Sequence, residues 1–146
     1  MWRELTEADV LGVLNAPEAA AYQSAATGEG QDVLADILGQ VIHHCRGYIA
    51  DNRENKLAEG LTLPERCLRP ALHLIRKDLL TRLDIEVSED RRKDAAEALR
   101  FFERVADGKV SVELPTGALD TGSPSPAITV LSTHERQNTR DSLSGL

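Results

Sequence analysis

The sequence predicts an all-α protein, a small bundle of about four to five helices with a long central helix. A short extended segment near residues 109–114 and a mostly irregular C-terminal tail complete the expected architecture. Three observations carry this expectation. Apolar residues recur at spacings of three and four through most of the first 106 positions, the period of a helix with one buried face. The only aromatic residues are Trp2, Tyr22, Tyr48, Phe101 and Phe102, so the core must be filled by Leu, Ile, Val and Ala, which disfavours a β-sandwich. Finally, composition changes abruptly at Pro115, dividing the 146 residues into a helical domain over 1–114 and a linker with a tail over 115–146.

Taken in chain order, Leu5-Thr6-Glu7-Ala8-Asp9-Val10 reads as a helix start. The Thr6 hydroxyl can accept an orphan N–H, and Leu5 can pack on Val10 as a hydrophobic staple. This predicts a helix over 7–14. Asn15-Ala16-Pro17 stops it and restarts a short Ala-rich helix over 18–26, since Pro suits a first helical position and few later ones. Gly28-Glu29-Gly30 breaks the chain again. From Gln31 to Ala50, Val33, Leu34, Ile37, Leu38, Val41, Ile42, Cys45, Tyr48 and Ile49 form one continuous stripe, which predicts the long central helix.

The helix fades into Asp51 to Asn55, the stretch up to Thr62, with Gly60 in it, is expected as a loop or a ragged helix end, and Leu63-Pro64-Glu65 opens the next helix, expected over 64–83. Leu68, Ala71, Leu72, Ile75, Leu79 and Leu83 make its stripe. Pro70 lacks an N–H and clashes with the carbonyl of Arg66, so a kink, or a helix ending near Arg69, is expected there. Ser88 is a clean N-cap, with Glu89 and Asp90 at the positive end of the helix dipole. Ala95, Ala98, Leu99, Phe102 and Val105 carry the last stripe to Gly108 in the left-handed position just past the helix end. Lys109 to Leu114 then alternates polar and apolar residues, the period of an extended segment with one buried face. Thr116 to Pro126 is almost wholly Thr, Gly, Ser, Pro and Ala and reads as a linker. It is followed by the apolar Ile128, Val130 and Leu131 and by Thr139-Arg140-Asp141-Ser142-Leu143-Ser144-Gly145-Leu146.

Charge excludes some functions. A net charge of −7 argues against the phosphate neutralisation on which nucleic-acid binding depends. The charge is uneven: residues 1–60 hold ten acids against four bases, whereas residues 61–82 hold two acids (Glu65, Asp78) against five bases (Arg66, Arg69, Arg76, Lys77, Arg82). Arg66, Arg69, Arg76 and Lys77 are accordingly candidates for a subunit interface, where a basic helix would meet the acidic face of a neighbouring copy. No apolar stretch approaches a membrane span, and Met1-Trp2-Arg3-Glu4 begins no signal-peptide core, so synthesis in the cytosol is expected.

The candidate chemistry is sparse. His43-His44-Cys45, together with Cys67 and His73, offers zinc-ligand types, yet adjacent helical residues diverge by about 100°, so His43 and His44 cannot readily share a metal with Cys45. The expectation is a buried Cys45 and Cys67 as free thiols, His44 bordering the stripe and His43 facing outward. Gly28-Glu29-Gly30 lacks the Lys and Ser/Thr of a phosphate loop, and no Gly-x-Ser-x-Gly elbow occurs. Carboxylate pairs such as Asp32 with Asp36, or Glu86 with Glu89, are ordinary on a solvated helix face. No enzyme, cofactor or metal is therefore expected.

In order, the Leu5-Thr6-Glu7-Ala8-Asp9 start, the long helix ending in Tyr48-Ile49-Ala50, the Leu63-Pro64 helix and Ala98-Leu99-Arg100-Phe101-Phe102-Glu103-Arg104-Val105-Ala106-Asp107-Gly108-Lys109-Val110 resemble the Mu-like family of tailed-bacteriophage head-to-tail connector proteins. The resemblance covers residues 4–114 and appears again in the terminal Arg140-Asp141-Ser142-Leu143, which is similar to the Arg-Asp-Ser-Leu-x-Gly ending of such proteins. The chain departs from the family after Tyr48, where it has Asp51-Asn52-Arg53.

What the resemblance implies is a structural adaptor in the virion neck, assembled in the host cytoplasm. Twelve copies would form a ring on the portal protein and meet the tail or its stopper protein, with genomic DNA passing through the channel without specific binding and no membrane involved. Arg140, Asp141, Ser142, Leu143 and Leu146 would be the portal-binding element. Two other readings share the composition: a helical interaction module unrelated to phage, and a small helix-turn-helix regulator reading DNA with the basic helix 64–83.

Overall fold

The computed structural model describes residues 1–25 and 30–116, with the side chains of residues 30–32 excepted. The linker beyond Thr116, the apolar run at 128–131 and the portal-binding candidates Arg140, Asp141, Ser142, Leu143 and Leu146 lie outside the described residues. The elements run β1 (Trp2–Glu4), α1 (Glu7–Val13), α2 (Ala16–Ala25), α3 (Gly30–Asp51), β2 (Thr62–Pro64), α4 (Glu65–Arg82) and α5 (Glu89–Ala106). Among the described residues the fold is an all-α bundle of five helices with only a tiny two-stranded sheet. Its centre is the mutual packing of α3, α4 and α5, onto which α1 and α2 are laid.

The helix ends show why the chain divides where it does. Thr6 Oγ1 accepts the Asp9 N–H and the Asp9 carboxylate accepts the Thr6 N–H at 2.9 Å, a reciprocal capping box that fixes the start of α1. Asn15 and Glu18 repeat the device at the start of α2: Asn15 Oδ1 accepts from the Glu18 N–H at 2.9 Å, and Glu18 Oε2 accepts from the Asn15 N–H at 3.0 Å. Pro17 is consequently the second helical residue of α2 and not the first. Ser88 caps α5 as its sequence position predicts.

Both α4 and α5 end in the same pattern of a left-handed residue with crossed hydrogen bonds. In α5, Gly108 (φ +75°) donates to the Val105 carbonyl and Lys109 to that of Arg104. In α4, Asp84 takes the glycine's place at φ +54°, donating to Thr81 while Ile85 donates to Leu80 at 2.9 Å. A side chain is strained in that conformation, Asp less than most.

Three expectations are corrected. First, α4 does not end near Arg69 but runs from Glu65 to Arg82 through Pro70. Pro70 lies only in the second turn, so the helix forfeits one hydrogen bond near its start, and the stripe Leu68, Ala71, Ile75 and Leu79, all buried, holds both sides of it in register. Second, β1 and β2 pair antiparallel, Trp2 opposite Pro64 and Glu4 opposite Thr62, so residues 62–64, expected as loop end and helix start, are a strand instead.

Third, the segment 109–114 pairs with no strand among the described residues, and its alternation reverses at the end. Val110 and Val112 turn inward as predicted, but Glu113 is half-buried and Leu114 exposed. The cause is electrostatic: Glu113 Oε2 lies 2.9 Å from the Met1 ammonium and accepts the Glu65 N–H at 3.0 Å, while its carbonyl accepts Trp2 Nε1–H at 2.8 Å. These partners hold its carboxyl below the usual carboxylate range, the Met1 ammonium first among them.

The core is one cluster in which Val10, Leu34, Ile42, Ile49, Leu63, Ile75, Leu79, Phe102 and Val105 are buried. Phe102 is the largest of them. Burying a side chain of that size contributes about 2–3 kcal/mol, and Phe102 stacks on Tyr48 of α3, which in turn stacks on His44. Cys45 and Cys67 are free and buried, and burial pushes the Cys67 thiol up to about 12 and Cys45 higher still.

Candidate functional site

The most concentrated polar chemistry lies where α1 and α2 meet α4 and α5. Arg76, in the middle of α4, is 3% exposed. Its guanidinium donates to the Val13 carbonyl at 3.2 Å and to Asp94 Oδ2 at 3.0 Å, and meets His73 Nδ1 at 3.1 Å. Val13 is the last residue of α1, whose last turn holds no base of its own, so α4 supplies the cation that the negative helix end favours. Arg91, one turn before Asp94 on α5, donates its Nε–H to Glu18 Oε1 at 3.1 Å. Glu18 is itself only 7% exposed and caps α2 with its other oxygen.

A chain of charge therefore runs Glu18, Arg91, Asp94, Arg76, His73 and ties α2, α4 and α5 together, and the Arg76 bond to the Val13 carbonyl adds α1. Arg76 Nε is buried without a partner among the described residues, so the guanidinium is held by its two terminal nitrogens. Burial lowers the value of Arg76, with Arg91 next, against the opposing Glu18 and Asp94. His73 is likewise lowered, first by burial, then by Arg76, so the imidazole faces Arg76 as a neutral acceptor.

Beside this chain α4 and α5 leave a cleft of about 240 Å³ lined by Arg69, Pro70, His73, Asp94, Glu97, Ala98, Phe101 and Arg104. It adjoins a larger depression of about 500 Å³ that shares Arg69, His73, Asp94 and Glu97 and reaches Val13 and Arg91. Because successive helical residues diverge by about 100°, Phe102 faces α3 while Phe101 faces this cleft. The cleft has an apolar floor of Pro70, Ala98 and Phe101. Its rim carries Arg69 and Arg104, both exposed, whose guanidinium groups make no hydrogen bond or ion pair to another described residue.

The four arginine and lysine candidates thus part company. Arg69 lines the cleft. Arg66 is exposed but donates to the Ser111 carbonyl at 2.8 Å, fastening the segment after α5. Lys77 lies apart, on a depression with Thr81, Asp84 and Arg92. Arg76, also expected at a subunit interface, is not a surface residue: it is buried in the single chain and has three partners there. Sequence reading passed over Asp94, Glu18, Phe101 and Arg104. A signal for the buried members did exist: Arg76 stands four residues after Leu72 and three before Leu79, on the apolar stripe itself.

Among the described residues no three His, Cys, Asp or Glu side chains converge as metal ligands, and no helix is long and apolar enough to cross a membrane. His43 and His44 are both exposed, and His44 is occupied in stacking on Tyr48. Comparisons with family models, with characterised proteins and with solved structures find no match.

Proposed function

We propose that the chain is a structural head-to-tail connector of a tailed bacteriophage, assembling as a ring on the portal and joining the DNA-filled head to the tail. The observation that carries this reading is the ordered series of sequence motifs resembling that family. The motifs coincide with the ends of elements, Leu5 to Asp9 on the capping box of α1 and Phe101 to Val110 on the crossed hydrogen bonds that end α5. A rigid five-helix domain followed by a tail of different composition is also what such an adaptor requires, one part to build the ring and the other to reach the portal. Portal attachment is assigned to Arg140, Asp141, Ser142, Leu143 and Leu146, and many tails on one ring multiply a weak contact.

The helix-turn-helix alternative is disfavoured by the net charge of −7 and by the burial of Arg76, which withdraws one of the five bases of residues 61–82 from any DNA groove. An interaction module outside phage shares every feature of the fold. Negative-stain microscopy of the purified protein with the portal from the same genome separates the two. Rings seated on the portal, lost when residues 132–146 are deleted although the helical domain still folds, support the connector reading. Normal docking by the truncated protein refutes the role given to the tail, and no docking by the full chain refutes the connector.

A further inference from the structure

One corner of the molecule is complementary to the cleft between α4 and α5. After α3 the chain returns through a turn at Glu59-Gly60-Leu61, with Gly60 at φ +70°. Arg46 of α3 clamps that turn by donating to the Ala58 and Thr62 carbonyls, both at 2.6 Å, and the Thr62 hydroxyl donates to the Glu59 carbonyl at 3.0 Å. The Glu4 carboxylate of β1 lies beside it, 3.7 Å from where a Cβ at Gly60 would stand. Leu57 and Leu61 are left 41% and 38% exposed, and neither Glu4 nor Glu59 has a side-chain partner among the described residues. The corner is therefore a preformed knob of two exposed leucines and two uncommitted carboxylates.

The cleft has an apolar floor of Pro70, Ala98 and Phe101 and the uncommitted guanidinium groups of Arg69 and Arg104, with Glu97 and the Arg76-paired Asp94 also in its lining. We infer that the occupant of this cleft is the Glu4–Leu57–Glu59–Leu61 knob of a second copy of the chain. Leucine covers the floor, and the carboxylates meet the two arginines, whose planar donors match them. Because Arg46 already holds the turn, little ordering entropy is lost on docking. Knob and cleft are different surfaces of one chain, so the contact is head-to-tail and repeats from copy to copy. Such a contact closes into a ring when its rotation allows and otherwise grows a filament. The closure rests on the connector reading, but the pairwise contact does not.

The test uses two full-length variants, Leu57→Cys and Glu97→Cys, with a short bismaleimide. The native Cys45 and Cys67 are buried and stay out of the reaction. Each variant alone yields monomers on a denaturing gel, their mixture yields dimers, and the double variant yields a ladder. Adding Arg69→Glu and Arg104→Glu to the Glu97→Cys copy lowers the mixed dimer roughly tenfold, and Glu4→Arg with Glu59→Arg in the other copy restores it. Circular dichroism shows that each variant is folded. Dimers from either single variant, none from the mixture, or no rescue by the paired reversal would overturn the inference. Loss of portal docking with the ladder intact would instead count against the connector reading alone.

Discussion

Replacing Arg76 by Ala separates a structural guanidinium from an interfacial one. The wild-type side chain is buried and holds the Val13 carbonyl, His73 and the Asp94 carboxylate. A hydrogen bond to a charged group contributes about 1.5–3 kcal/mol, and a neutral one about 1. Against their sum stands the cost of keeping a guanidinium out of water, of which the unpartnered Nε is one part. The truncation also leaves a void beside α1. The net expected loss is about 3 kcal/mol, which lowers the melting temperature of a domain this size by roughly 12 °C.

Urea and thermal denaturation followed by far-ultraviolet circular dichroism measure it directly, and hydrogen exchange should show α1 loosening first. Arg69→Ala and Lys77→Ala, on the same helix but exposed, should each stay within about 0.5 kcal/mol of wild type. A double-mutant cycle with Asp94→Ala should return a coupling of at least about 1 kcal/mol. If Arg76→Ala is as mild as Arg69→Ala, the charge chain is decoration and the reasoning fails.

Two further outcomes follow from the described geometry. Asp84→Gly, which relieves the left-handed residue after α4, should raise stability by about 1 kcal/mol in the same denaturation assay, and a loss would mean that the Asp84 side chain supports the turn. Stability should also fall in two stages on acidification. His73 has a lowered value in the fold, so below its ordinary 6.5 the unfolded chain binds more protons, and stability declines as pH falls from neutral; His73→Gln should flatten this stage. Asp9 and Glu113 are lowered by Arg3 and by the Met1 ammonium, so the stability they lend is complete above their ordinary 3.8 and 4.5. It is lost as pH falls through their folded values, and urea midpoints measured across the range would display both stages.

Local chemistry was the legible part of this fold. Thr6, Ser88 and Gly108 act within a few residues of themselves, so the pattern around each is sufficient. The strands β1 and β2 were not legible, because three-residue segments with no alternation to speak of are paired only by a contact some sixty positions away. Pro70 misled because its effect depends on its place in the helix: in the second turn it forfeits one hydrogen bond without ending α4. Glu113 misled because an alternating pattern says nothing of the Met1 ammonium 2.9 Å from its carboxylate.

Of the candidate site, Arg69 was legible as a free surface cation, whereas Arg76 looked the same from composition and proved the opposite. Its stripe position was the available clue, and it was outweighed by the habit of placing arginine outside. Leu57 and Leu61 stood in a stretch read as a loop or a ragged helix end, and only the Arg46 clamp makes them a surface of fixed shape.

The tie at Glu113 also determines how the domain would carry load. A pull on the chain beyond Thr116 reaches the Glu113 carboxylate and carbonyl and the Ser111 carbonyl before it reaches α5. Those groups hand the force to β1 and to the first turn of α4, so tension is delivered to the bundle at the end where its first strand is also anchored. The far end, at the Asp84–Ser88 connection some 27 Å along α4, bears little of it. Whatever draws on this tail works against a short set of hydrogen bonds first, and the helices behind them act as the fixed wall.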